Sequence, residues 1–196
     1  MLYLVLAIAL WGLVHSVLAS LRFKASLRRT LGERFMRSYR LLYNLFAVIS
    51  FALVLYLMFT LPDQELYQVP PPWSYLMLAG QGLAVVFLLL AVLQTDLLSF
   101  AGLRQLVEEE KQAELVRHGL YRFVRHPLYT FSLLFLWLSP RMSVNTLMVY
   151  LALTAYVLVG AFFEERKLLR EFGKEYADYR AITPMLIPGL KFRGNK

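Results

Sequence analysis

The chain is built around apolar blocks that are too long and continuous to be one face of a soluble helix. They cover residues 2–19, 41–61, 75–93, 128–138 and 144–163. A helix needs about 20 predominantly apolar residues to cross a bilayer. Four blocks approach that length. The fourth in order, residues 128–138, is short, and is expected to draw extra length from the residues after Pro140. Backbone inside lipid must satisfy its own hydrogen bonds, and the blocks lack the alternation of a half-buried strand. The expected fold class is an all-α integral membrane protein with about five transmembrane helices plus a C-terminal cytoplasmic helix. Composition points the same way: 17% of residues are charged, against about 25% in a typical soluble domain. The first block has no positive region before it and no A-x-A site after it, so it reads as a retained span and not a cleaved signal.

Charge sets the expected orientation. Residues 21–40 hold seven basic side chains and one acid, and residues 62–73 hold Asp63 and Glu65 with no basic side chain. Residues 101–127 hold five basic and four acidic side chains, and the tail from Glu164 holds eight basic and five acidic. Lys and Arg concentrate on the cytoplasmic side of membrane proteins. The first loop, the third loop and the tail are therefore expected in the cytoplasm, with the N-terminus outside and the C-terminus cytoplasmic. A bacterial inner membrane suits this pattern. The net charge of +8 is spread between spans in the way that faces an anionic leaflet, so no nucleic-acid partner is expected. "LPDQELYQVPPPW" reads as a stiff external connector, and "SPRMSVN" as a tight turn between the last two spans.

The chain has no cysteine and only three histidines, His15, His118 and His126. Thiolate chemistry is excluded and no metal site is expected. The chemistry-bearing residues gather in two stretches. "GLYRFVRHPLY", residues 119–129, lies where the third loop meets the fourth span. Proline disfavours α geometry in the residue before it and suits a first helical turn. Arg125 and His126 are therefore expected at a helix N-terminus on the membrane surface, where unpaired N–H groups can hold an anion. Arg125 is expected to face the cytoplasm. Anchoring by snorkelling is the other reading of these residues.

The second stretch, "FFEERKLLREFGKEYADYR", begins where the fifth block ends. Glu164 and Glu165 follow directly on apolar residues, where acids are costly unless paired; alternatively they open a soluble tail. Glu165, Leu168 or Leu169, Phe172, Tyr176 and Tyr179 recur at helical spacing, with Gly173 expected to weaken or bend the helix. A cationic rim, paired acids and tyrosines at one boundary suit a zwitterionic ligand with a positive centre, since aromatic faces attract cations and Arg pairs carboxylates. His15 in the first span and Asp96 near the end of the third are further ionisable candidates.

"GLYRFVRHPLY", a helical hairpin and then "EERKLLREFGKEYADYRAITPMLIP" together resemble the isoprenylcysteine carboxyl methyltransferase family. Phospholipid N-methyltransferases are similar in layout. The resemblance covers residues 79–188. It implies an S-adenosylmethionine site at the cytoplasmic face that includes Tyr121, Arg125, His126, Tyr129, Glu164 and Glu165. Gly119, Pro127, Tyr176 and Tyr179 join them as expected cofactor-site residues, and Arg125 and His126 are the expected catalytic pair. "AGQG" offers Gly80 and Gly82 as a loose match to a G-x-G of phospholipid methyltransferases, with helix packing as the other explanation.

The first third, "HSVLASLRFKASLRRTLGERFMRSYRLLYNL", looks like NnrU-type membrane proteins and bacterial membrane thiol methyltransferases. The expected organisation is one domain, 1–196, with residues 1–73 NnrU-like and residues 74–196 the cofactor-binding core. The expected function is methyl transfer from S-adenosylmethionine to a lipophilic or small acceptor, a carboxylate, thiol or amine, beside the lipid bilayer. The alternatives are a non-enzymatic NnrU-type membrane component and an NADPH-dependent reductase of sterol-reductase type.

Overall fold

In the computed structural model, residues 2–95, 103 and 114–190 are described; Asp96 lies outside them. The elements in chain order are α1 (Leu2–Ala19), α2 (Leu21–Thr60), β1 (Glu65–Gln68), α3 (Trp73–Leu93), a single 3-10 turn (Gly119–Arg122), α4 (Pro127–Trp137), β2 (Arg141–Ser143), α5 (Val144–Phe172) and α6 (Lys174–Ile182). The protein is a helical integral membrane protein. The helices α2, α3 and α5 are long and apolar enough to cross a membrane, and α1 and α4 are shorter apolar helices.

The chain divides into two compact units. The first holds α1, α2 and the first residues of α5. Its helical hairpin is antiparallel: the Tyr39 hydroxyl donates to the Leu18 carbonyl, Tyr43 bonds to His15 Nε2, and Trp11 packs on Phe51. The end of α2 is capped from α5, where the Asn145 amide, fully buried, reaches the carbonyls of Met58, Leu61 and Pro62 at 3.3–3.4 Å. One expectation changes here. The basic stretch 21–40 is not a loop but the start of α2, interrupted only at Gly32 (φ 76°, ψ 175°). Ser20 caps it, its hydroxyl accepting from the Phe23 N–H at 3.3 Å. Arg, Lys and Leu favour helix, and Phe23, Leu27 and Leu31 repeat at four-residue spacing. The high charge concealed that periodicity.

The second unit holds β1, α3, α4, most of β2, the rest of α5, and α6. Helices α3 and α4 run antiparallel. Phe87 stacks on Phe131 at 4.8 Å, and the Gln81 amide donates to the Phe135 carbonyl. Ala84 and Ala91 of α3 and Ala161 of α5 are fully buried, as expected of small residues where helices approach closely in lipid. Large apolar side chains such as Leu76, Leu83 and Leu93 point outward, as a bilayer solvent permits.

The "SPRMSVN" segment is not a simple turn. Arg141–Ser143 pairs with Glu65–Gln68 in a two-stranded sheet, reinforced by Arg141 Nε on Glu65 Oε2 at 2.6 Å. The connector expected in residues 62–73 thus supplies a short strand within an otherwise all-α fold. The residues after Pro140 extend β2 and not the fourth helix. At 11 residues, α4 is about 16 Å long.

Candidate functional site

The site is assembled in the second unit from four local decisions. Gly119 adopts φ +59°, a conformation costly for any residue with a Cβ. It turns the chain so that the Leu120 N–H donates to Gln94 Oε1 at the end of α3, 2.8 Å away. A Cβ on Gly119 would collide with that same Gln94 side chain. Pro127 then opens α4 at its first position, and His126 before it is non-helical (φ −125°, ψ 66°), as a residue preceding proline prefers. Helix α5 runs on without a break past Phe163 to Phe172, carrying Glu164 and Glu165. Gly173 (φ +55°) ends it, and α6 turns back, carrying Tyr176 and Tyr179 on one face three residues apart.

Glu165 is the hub. Its carboxylate accepts from Arg125 Nε at 2.9 Å and Arg125 Nη2 at 2.8 Å, from the Tyr176 hydroxyl at 2.5 Å, and pairs with His126 Nε2 at 2.8 Å. Both ends of the Arg125–Glu165 pair are buried. Arg125 also donates through Nη1 to the carbonyls of Arg180 and Thr183. Four donor contacts leave this guanidinium little capacity for a ligand. The expectation that Arg125 faces the cytoplasm is therefore corrected: it points inward and ties α6 to α5. The physical reason is that a buried acid needs a paired, multidentate cation, and guanidinium supplies it.

The expected anion rim changes as well. The Arg125 and His126 N–H groups donate to the carbonyls of Pro184 and Met185 at 2.9 and 3.1 Å, and the Thr130 hydroxyl donates to Leu186 O. The segment after α6 thus occupies the amides ahead of α4.

Glu164 behaves differently from its neighbour. Adjacent helical residues point about 100° apart, and this carboxylate is 42% exposed where Glu165 is 9% exposed. Among the described residues, Tyr129 donates to it at 2.7 Å, and His126 Nδ1 stands 3.7 Å away. The His126 ring stacks on Tyr129. The Tyr179 hydroxyl donates to the Tyr121 carbonyl, closing α6 onto the 3-10 turn. Burial pushes the phenols of Tyr121 and Tyr179 up to about 12; for Tyr121 the Glu164 charge adds to the rise. Burial also raises Tyr176, helped by its bond to Glu165. These hydroxyls therefore stay protonated donors at neutral pH.

Beside the cluster a shallow groove of about 530 Å³ is lined by Arg117, Arg122, Asp178, Tyr179, Ile182 and Thr183. Arg117 is held by Glu175 at 2.8 Å.

The structure brings together Tyr121, Arg125, His126, Pro127, Tyr129, Glu164, Glu165, Tyr176 and Tyr179, with Gly119 beneath them on Gln94. It does not bring Gly80 and Gly82 to this cluster. A Cβ on Gly80 would meet Leu138 at 2.7 Å, at the opposite end of α4 from His126, and Gly82 faces open space. Sequence reasoning passed over Gln94, Arg180 and Thr183. Their contacts join distant segments and leave no local signature, although "TPMLIP" lies directly after α6. Among the described residues no His, Asp and Glu cluster could hold a metal ion.

A methanethiol S-methyltransferase 2 from Bradyrhizobium diazoefficiens is 33% identical over 197 aligned residues, covering 94% of this chain and 72% of that protein. Methanethiol S-methyltransferases from Crocosphaera subtropica and Pseudomonas deceptionensis are 31% and 30% identical, over 92% and 95% of this chain and 72% of each relative. No solved structure matches. The model of the family described as NnrU protein matches residues 3–185. Nearly the whole chain is thus accounted for, and it belongs to the NnrU family.

Proposed function

We propose that this protein is an S-adenosylmethionine-dependent membrane methyltransferase whose acceptor is a small thiol. One observation carries the reading: relatives named methanethiol S-methyltransferase match along 92–95% of the chain. The donor set suits the cofactor. The half-exposed Glu164 carboxylate, flanked by the rings of Tyr129 and Tyr121, fits a cationic centre. Arg122 and Arg117 in the neighbouring groove fit its carboxylate. When bound, S-adenosylmethionine supplies a methyl group on a sulfonium that leaves as a neutral thioether.

The chain's own residues would do the rest. A thiol must lose its proton as its sulfur forms the new C–S bond. In the tautomer that donates Nε2–H to Glu165, Nδ1 faces the Glu164 side, and Nδ1 is the atom that takes that proton. Glu165 fixes the tautomer and the ring orientation. Arg125 is a positioning residue that holds Glu165. Tyr176 and Tyr179 hold α6 over the cluster and exclude water, which keeps the charged groups effective. The distribution of basic residues supports a site at the cytoplasmic face of a bacterial inner membrane, where a small apolar thiol would reach it through the bilayer.

The test is direct. Purified protein with S-adenosylmethionine and methanethiol should release dimethyl sulfide, read by headspace gas chromatography, with S-adenosylhomocysteine in equal amount. Prenylcysteine and phospholipid amine acceptors serve as comparison arms. Folded protein that methylates none of the three overturns the enzymatic reading, and methylation of only the prenylcysteine or amine overturns the thiol assignment.

A further inference from the structure

The start of α2 is not used by the site. Residues 21–40 form two helical legs joined at Gly32, whose φ of 76° breaks the helix. They lie between the apolar α1, which ends at Ala19, and the apolar part of α2 that begins at residue 41. The antiparallel contact of Tyr39 with Leu18 brings the two ends of the segment together. The legs therefore form a lobe projecting past the end of the α1–α2 hairpin.

The lobe is strongly one-signed. Arg22, Arg28, Arg29, Arg34, Arg37 and Arg40 are all exposed. Among them Arg28 pairs with Glu33 at 3.1 Å, across the Gly32 break. Helical spacing organises the charges: Arg22 and Arg29 are seven residues apart on one leg, and Arg34, Arg37 and Arg40 follow at intervals of three on the other. The same legs expose apolar side chains, Leu21 at 65% and Leu31 at 52%. Phe23 and Leu27 are half-buried beside them.

We propose that residues 21–40 are an interfacial lobe that binds the headgroups of anionic phospholipids. The reasons are continuity and charge. Both ends of the lobe run directly into membrane helices, so its arginines sit at headgroup depth. Guanidinium pairs phosphate through two hydrogen bonds and matches it in charge. Exposed leucines beside the arginines suit an acyl boundary, the pattern of helices that lie in the interface plane. A nucleic acid or an acidic protein would match the arginines but not the leucines.

The whole protein, reconstituted in vesicles of equal parts phosphatidylglycerol and phosphatidylcholine, provides the test. The lipids retained by the protein are counted by native mass spectrometry. The expected result is enrichment of phosphatidylglycerol by about fivefold or more, the scale of one basic residue near an anionic surface. Salt of about 1 M, where screening acts within about 3 Å, should reduce it. The variant Arg22→Gln, Arg29→Gln, Arg34→Gln, Arg37→Gln should lose the enrichment while keeping its helical content by circular dichroism, because glutamine is as good a helix former. The matching set of Arg→Lys changes should retain most of it. Equal retention of both lipids by the wild type, or unchanged enrichment in the Gln variant, overturns the proposal.

Discussion

His126 Nε2 and Glu165 Oε1 stand 2.8 Å apart, and both side chains are almost fully buried. The contact joins the residue before α4 to a residue four-fifths of the way along the sequence. It leaves the other ring nitrogen, Nδ1, toward Glu164, 3.7 Å away. The two adjacent acids therefore serve one histidine from two sides, in different environments.

That difference separates their variants. Glu165→Gln leaves the buried Arg125 guanidinium without its counter-ion, and breaking such a pair costs about 3–5 kcal/mol. Its folding stability in detergent should fall by that order. Glu164→Gln removes a half-exposed charge and should leave the melting temperature nearly unchanged. Its affinity for S-adenosylhomocysteine should drop by about 1.5–3 kcal/mol if the carboxylate meets the cofactor's cation. Paired thermal melts and calorimetric titrations read both quantities, and equal effects at the two positions would reject the division of roles.

Arg125→Lys extends the argument. Lysine keeps the charge but cannot span Glu165 and the carbonyls of Arg180 and Thr183 together. Hydrogen exchange over residues 174–182 should accelerate by at least about tenfold, one lost charge-assisted bond being worth about 1.5 kcal/mol or more. Protection equal to wild type would mean that Arg125 does not hold α6.

The tyrosines predict an alkaline limb. Tyr179 has a folded-state value of about 12, raised from 10.0 chiefly by burial. A raised value contributes stability that is fully present below pH 10 and is lost as pH rises through about 12. The melting-temperature difference between wild type and Tyr179→Phe should be flat below pH 10 and shrink above it. A difference that stays constant to pH 12 would show that this phenol ionises no later than a free one.

Glycine substitutions separate packing from ligand contact. Gly119→Ala places a methyl group against Gln94 in a left-handed conformation and should cost about 1–2 kcal/mol from the backbone alone, with cofactor affinity falling as the 3-10 turn shifts. Gly82→Ala meets open space and should be silent in both stability and binding. Loss of cofactor affinity in folded Gly82→Ala would return that glycine to the ligand site.

Orientation is tested by reporter fusions. Positive residues flank the ends of α1 and α5, while residues 62–73 carry none. Reporters placed after Asp63 and at the C-terminus should lie on opposite sides of the membrane; the same side for both would reject the assigned orientation.

Much of this protein is legible in its sequence because the determining forces are local. The apolar blocks announce membrane helices, since no soluble fold accommodates them. Pro127 marks the start of α4, because proline restricts its own backbone and that of His126. Gly173 marks the bend before α6, because only glycine takes that conformation cheaply. What the tertiary structure alone decided lies in contacts between distant residues. Nothing local distinguishes Glu164 from Glu165; packing of α5 against Arg125 and Tyr176 buries one and leaves the other partly open. Nothing in "SPRMSVN" announces a strand, because its partner lies 76 residues earlier at Glu65. Arg125 looks like an outward-facing cation until its bonds to Glu165 and Thr183 are traced, 40 and 58 residues away. A charge or a break acts on its neighbours and can be read in place, but the choice of which polar group to bury depends on what the rest of the chain brings to meet it.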